Sequence, residues 1–277
     1  MEKDKILACL NLIKHLPPSK IHHNALALSN LIPDQADELL QRIDKPLEVA
    51  TDPENGREYI QSEFNRDGDS FRSFWTNKYY PAIEDATYPS DYVRSLEQKA
   101  NTLFAEYAKL YYQGGVHSTY FWDKEDGGFA CAFLMKKEVD QTANIVKGIW
   151  DSINVIDVKF DNQKSSDKQR VQYTVTSSVI LEMVLKKPEA GDVNISGSLS
   201  KSKAVDYLME DKYVDEFHLR NIGKLVEDVE GDLRSSLDTI YVGKTKESLF
   251  KTRSVDGTYI MEKGKMDLAK QLVNMHK

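Results

Sequence analysis

The sequence predicts an α+β protein: three short N-terminal helices, a five-stranded antiparallel sheet, and one long helix lying on that sheet. Three observations predict it. Between Asp215 and Gly243, Leu219, Ile222, Val226, Val229, Leu233, Leu237 and Ile240 recur at steps of three or four, the single-face spacing of a helix. Between residues 117 and 199, five apolar or β-branched runs alternate with short polar turns. Before residue 47, three apolar-periodic segments are parted by prolines.

The first helix is expected over 4–16, with Ile6, Leu7, Leu10, Ile13 and Leu16 inward, ended by Pro17 and Pro18. The second runs from Ser19 to Ile32 on Ile21, Ala25, Leu28 and Leu31 or Ile32, and the third from about Asp34 to Ile43. Together they read as an antiparallel bundle or stalk. Residues 52–90 read as irregular, punctuated by Pro53, Gly56, Gly68, Pro81 and Pro89. Within them, Arg66 or Arg72 is expected to pair with Asp67 or Asp69 in a buried, hydrogen-bonded loop. A helix over 91–112 is expected to put Val93, Leu96, Ala100, Leu103 or Phe104, Tyr107, and Leu110 or Tyr111 on one face.

Strands follow at 117–123, 129–137, 146–160, 171–185 and 192–199, with Asp126-Gly127-Gly128 as a hairpin turn. Short polar turns imply an antiparallel meander whose edges need a partner. The long helix spans roughly 40 Å at 1.5 Å per residue. Lys224, Glu227, Asp228, Glu230, Asp232, Arg234 and Asp238 are expected off its apolar stripe, facing water.

Composition narrows the chemistry. The net charge of −7 argues against general nucleic-acid binding. No run of 18 apolar residues suggests a membrane span, and the first residues are too polar for a secretory signal. The two cysteines, Cys9 and Cys131, are expected to be buried thiols in a reducing compartment. Residues 244–277 hold eight Lys/Arg against four acids, a surplus of +4, while residues 1–243 carry −11. A basic tail on an acidic body suits an acidic partner.

No catalytic or metal site is expected. His22 and His23, adjacent on a helix, point about 100° apart and do not share a metal. Asn65, Asp67 and Asp69 imitate the start of a calcium loop, but Ser70 stands where the turn needs glycine and Thr76 where it needs glutamate. Gly243-Lys244-Thr245 imitates a phosphate loop but follows a helix rather than a strand, with Asp238 in place of its first glycine. HExxH, GxSxG and paired CxxC motifs do not occur.

Several stretches resemble the β subunit of the F-actin capping protein (CapZ) family. They include Leu16-Pro17-Pro18, Phe64 through Ser73 (with Asn65-Arg66-Asp67-Gly68-Asp69-Ser70 the most specific part), Asn77-Lys78-Tyr79 and Gly114-Gly115-Val116. They continue with Trp150-Asp151-Ser152-Ile153, Asn221 to Asp228 and Ile240 to Lys246. The resemblance covers nearly the whole chain. It departs at Ser62-Glu63-Phe64, where the family carries Cys-Asp-Tyr, and at Phe74, where it carries proline.

The resemblance implies a heterodimer with a capping protein α subunit, sheet against sheet, and a C-terminal amphipathic tentacle. It implies the parts 1–48 stalk, 49–113 linker region and helix, 114–200 sheet, 201–246 connecting segment and long helix, and 247–277 tentacle. The implied activity is calcium-independent capping of actin filament barbed ends, with no cofactor and no catalysis, in the cytoplasm and cytoskeleton. Regulatory proteins or dynactin are further implied partners. The alternative is a passive structural subunit of a dynactin-like assembly. By position, Arg234 falls in the family's actin-contacting patch. Leu272 matches the exposed apolar position of the tentacle, with Leu268, Val273 and Met275 beside it and Met266 near.

Overall fold

The computed structural model describes residues 2–141, 146–161, 169–187, 191–209 and 214–243. The chain divides into two compact units, residues 1–233 and 234–277.

In the first unit, helices α1 (Glu2–Ile13), α2 (Ile21–Leu31) and α3 (Ala36–Gln41) form the expected three-helix bundle. Its core is Ile6, Cys9, Ile13, Ile21, Ala25, Leu28, Ile32, Leu39 and Ile43. Leu7 and Leu31, expected or allowed inside, are 52% and 73% exposed. Cys9 takes the inward place that Leu7 was expected to share. His22 and His23 are both exposed.

The region expected to be irregular is built instead of short strands. Strands β1 (Glu48–Thr51) and β2 (Glu58–Gln61) form a hairpin. Strands β3 (Arg66–Asp67), β4 (Ser70–Arg72) and β5 (Tyr79–Tyr80) form a small sheet turned by Gly68 at φ +58°. The expected pairing of Arg72 with Asp67 or Asp69 is corrected. Arg72 is buried and makes a bidentate pair with Glu97 at 2.9 and 2.6 Å. Glu97 also takes the Phe121 amide at 2.8 Å and pairs with Arg94. Burial works against the Arg72 charge, but the Glu97 carboxylate outweighs it and holds the guanidinium above its ordinary range. Arg66 does reach Asp69, at 3.7 Å, but in solvent.

Helix α4 (Asp91–Tyr111) starts on Ser90, whose side chain accepts from the Val93 amide. Val93, Leu96, Ala100 and Phe104 are buried as expected, while Leu103 is 56% exposed, and at the end of the helix Leu110 and Tyr111 are both exposed, at 79% and 45%.

Five strands follow: β6 (Val116–Asp123), β7 (Phe129–Gln141), β8 (Val146–Phe160), β9 (Gln169–Lys187) and β10 (Gly191–Met209). Each pairs antiparallel with the next, giving the predicted meander in spatial order β10-β9-β8-β7-β6. The last strand continues through 201–209, which the sequence had assigned to a connecting segment. At the β6–β7 turn, Gly127 has φ +80°. A Cβ on Gly128 would lie 2.2 Å from the Val158 carbonyl oxygen, so only glycine lets strand β8 pass.

Strand alternation gives the sheet two faces. The underside carries Tyr120, Ala132, Leu134, Ile153 and Ile180 against Leu47, Tyr59, Ile60 and Phe74. The other face carries Phe129, Phe133, Ser152, Asn154 and Tyr173, and it meets α4 and the long helix α5 (Val214–Leu237).

The described part of the second unit is the final turn of α5 and a π-helical turn, Asp238–Gly243. There Thr239 donates to the Ser235 carbonyl at 3.0 Å.

Candidate functional site

Helix α5 is amphipathic along the predicted stripe. Leu219, Ile222, Val226, Val229, Leu233 and Leu237 are all buried, and Leu225 joins them. Ile240, expected as the seventh stripe residue, is 41% exposed. The α-helix closes at Leu237, and the wider π turn beyond it breaks the 3.6-residue register.

The outward face is charged and mostly neutralised in pairs. Lys201 on β10 pairs with Asp232, Lys203 with Asp228 at 3.3 Å, and Lys99 on α4 with Asp215 at 2.5 Å. Tyr111 donates to Glu227 at 2.8 Å. Arg220 and Lys224 are exposed, one turn apart, with no ion pair among the described residues. Arg234, the body residue singled out from sequence, lies in the last turn of α5 and is half-buried. Leu268, Leu272, Val273 and Met275 lie outside the described residues, so the structure brings none of them together with Arg234.

Glu230 is the correction on this helix. Expected in water, it is 1% exposed. Its Oε1 accepts from Ser152 Oγ and, at 2.8 Å, from Asn154 Nδ2. Its Oε2 accepts from Tyr107 and, at 2.8 Å, from the Tyr112 hydroxyl. Asn154 is held in turn by Ser177, which donates to its Oδ1 at 2.5 Å. The signal that marks Glu230 lies in spacing. It stands four residues after Val226 and three before Leu233, inside the stripe, and only its polarity argued for solvent.

His218, one turn before Ile222, is also fully buried, among Phe129, Phe160, Tyr173 and Phe217. Its Nδ1 shares a 2.6 Å hydrogen bond with the Tyr173 hydroxyl, and its Nε2 has no hydrogen-bond partner among the described residues. Burial lowers its pKa to about 4, with Asp215 opposing, so the ring is neutral at pH 7.

On the underside, Asp151 is fully buried and takes the Leu47 amide at 2.8 Å and Lys136 Nζ at 3.3 Å. Lys136 also reaches Glu138 at 3.1 Å. Burial raises the Asp151 pKa to about 6, against the pull of Lys136 and the Leu47 amide.

These groups are committed to holding elements together rather than converging on a reacting atom. The residues of the imitation calcium loop also point to separate duties. Asn65 takes the Ser62 amide and donates to the Ile60 and Arg72 carbonyls, Asp67 takes the Thr87 amide, and Asp69 meets Arg66. Among the described residues no group of three His, Cys, Asp or Glu side chains could hold a metal ion, and no helix is long and apolar enough to cross a membrane.

Comparison with known proteins agrees with the fold and the motifs. The family model for "F-actin capping protein, beta subunit" matches residues 6–249. The F-actin-capping protein subunit beta of Dictyostelium discoideum is 42% identical over 267 residues, covering 96% of this chain and 95% of that protein. The Drosophila melanogaster subunit is 39% identical over 254 residues (92% and 89%), and the Arabidopsis thaliana subunit is 39% identical over 245 (87% and 92%). Among solved structures, the homodimeric actin capping protein alpha subunit from Plasmodium berghei aligns with a TM-score of 0.51 at 15% identity, over 92% of this chain and 98% of that one. At that identity the likeness concerns the fold alone.

Proposed function

The chain belongs to the F-actin capping protein β-subunit family, and from that premise we propose that it pairs with a capping protein α subunit, binds filament barbed ends and blocks actin exchange there. The observation that carries the reading is the family match at residues 6–249, with β subunits from amoeba, fly and plant near 40% identity. The outer flank of β10, which has a strand neighbour on one side only among the described residues, supports sheet-to-sheet pairing with the partner. The relatives' names favour capping over a passive dynactin-like subunit. The reading assigns no bond-making step, needs no cofactor, and places the protein in the cytoplasm with the actin cytoskeleton. Seeded filament elongation with the purified heterodimer tests it. Arrest of barbed-end growth is expected, and normal growth at micromolar folded dimer would overturn it.

The division of labour follows from chemistry. Arg234 supplies a positive charge to acidic actin and acts mainly on association, more strongly at low salt. The tail segment with Leu268, Leu272, Val273 and Met275 docks an apolar face and slows release. Burial of one leucine is worth roughly 1.5–3 kcal/mol, about ten- to a hundredfold in affinity. Arg234→Ala is therefore expected to lower the on-rate. Leu272→Asp, or removal of residues 262–277, is expected to raise the off-rate while the heterodimer persists. An unchanged off-rate after removal of the tail would strip Leu272 of its role.

A further inference from the structure

Glu230 joins α5 to two elements far from it in sequence. Ser152 and Asn154 come from the middle strand β8, Tyr107 from α4, and Tyr112 from the residue that caps it. Apolar contacts along a helix tolerate small slides and rotations, because one methyl replaces another at little cost. A buried carboxylate with two donors on each oxygen does not, since a slide of one turn would leave donors on both sides unmet. The sheet side sets the depth of the helix, and the tyrosine side sets its rotation.

We propose that Glu230 is a positioning residue for filament capping: by fixing the axial and rotational register of α5 on the sheet, it holds that helix in the one placement that fits a barbed end. The inference rests on the capping reading above. Glu230 is buried and does not touch actin, so it acts through the helix. Arg234 follows it by four residues in the same helix.

Two hydroxyl deletions test this without emptying the site. Tyr107→Phe with Tyr112→Phe removes the α4 side of the grip and leaves the rings in place. Ile60→Val, in the underside core, serves as a control of similar thermal cost away from α5. Both are made in the full chain and assembled with the α subunit. Capping kinetics on filament seeds are read well below the melting temperature and normalised to folded heterodimer. The tyrosine pair is expected to cap about tenfold more slowly, the size of one lost contact, while Ile60→Val caps at the wild-type rate. Glu230→Gln, which keeps one acceptor oxygen and the side-chain shape, is expected to stay within about threefold of wild type.

Amide hydrogen exchange along α5 is measured in parallel and is expected to rise in the tyrosine pair alone. Equal capping rates for the tyrosine pair and Ile60→Val would overturn the inference, as would unchanged exchange in α5. If wild-type heterodimer failed to cap, the functional reading would fall, and the exchange data would still decide whether Glu230 sets the register of the helix.

Discussion

The two faces of the sheet bury charge in different ways, and strand β8 shows both within four residues. On the underside, Asp151 meets a cation, Lys136, and one backbone amide. On the helix face, Ser152 and Asn154 turn the other way and donate, with two tyrosines, to the carboxylate of Glu230. The underside arrangement is exchangeable, because a neutral side chain of the same shape still takes the Leu47 amide. The helix-face arrangement is less forgiving, because four donors, two from β8 and two from the end of α4, converge on one residue. An ion pair tolerates a change of its acid; a hub of donors does not tolerate loss of its acceptor.

The largest test of that contrast is Glu230→Ala. It removes the acceptor that four donors share at a buried position and is expected to cost about 4 kcal/mol of stability, read from urea midpoints of the heterodimer. A loss below about 1 kcal/mol would show that water or a neighbour replaces the carboxylate with ease. On the underside, Lys136→Met strands Asp151 and is expected to cost about 3 kcal/mol at pH 7. That loss should shrink as pH falls and Asp151 takes up a proton. A pH-independent loss would mean packing, not charge, is what Lys136 supplies.

The faces also respond to acid with opposite signs. His218 has a folded pKa of about 4 against an ordinary 6.5, so the unfolded chain binds the proton first. Its contribution is full above pH 6.5 and is lost as pH falls toward 4, about 2 kcal/mol of it between pH 7 and 5. Asp151 has a folded pKa of about 6 against 3.8, so the folded chain binds the proton first. Its contribution is full below pH 3.8 and is lost as pH rises through 6, which adds about 1 kcal/mol on going from pH 7 to 5. Melting temperatures across this range are expected to fall less steeply with acid in His218→Asn than in wild type, and more steeply in Asp151→Asn. Parallel curves for wild type and either variant would show that the group in question does not titrate differently on folding. At pH 7, Asp151→Asn is expected to be the mildest of these changes, neutral or slightly stabilising.

The apolar skeleton was legible because period and burial are local properties. The α5 stripe, the five strand runs and the proline breaks each announce themselves within a dozen residues. The polar interior was not legible, since its partners lie far apart along the chain. Glu230 finds Ser152 and Tyr112 across 78 and 118 residues, and Arg72 finds Glu97 across 25. Locally, each of these side chains looks like a solvated charge. Of the candidate site, the place of Arg234 on the long helix could be read from the stripe around it. Ile240 was misplaced because periodicity cannot foresee a change from α to π winding.

Strand length increases across the sheet, from 8 residues in β6 through 13 and 15 to 19 in both β9 and β10. The longest strands therefore stand on the flank that has no further strand beyond it among the described residues. The helical bundle covers part of this edge, where the Lys14 carbonyl takes the Ser198 amide at 2.9 Å, and the uncovered length can pair with another edge. Two copies of the chain meet at a rate that grows as the square of their concentration, whereas capture by a partner grows only in proportion to it. Diluting newly made chains tenfold thus slows the wrong encounter about a hundredfold and the right one, at fixed partner supply, only tenfold. The shape of the sheet makes correct assembly a matter of reaction order: slow synthesis beside a ready partner favours the right encounter over the wrong one.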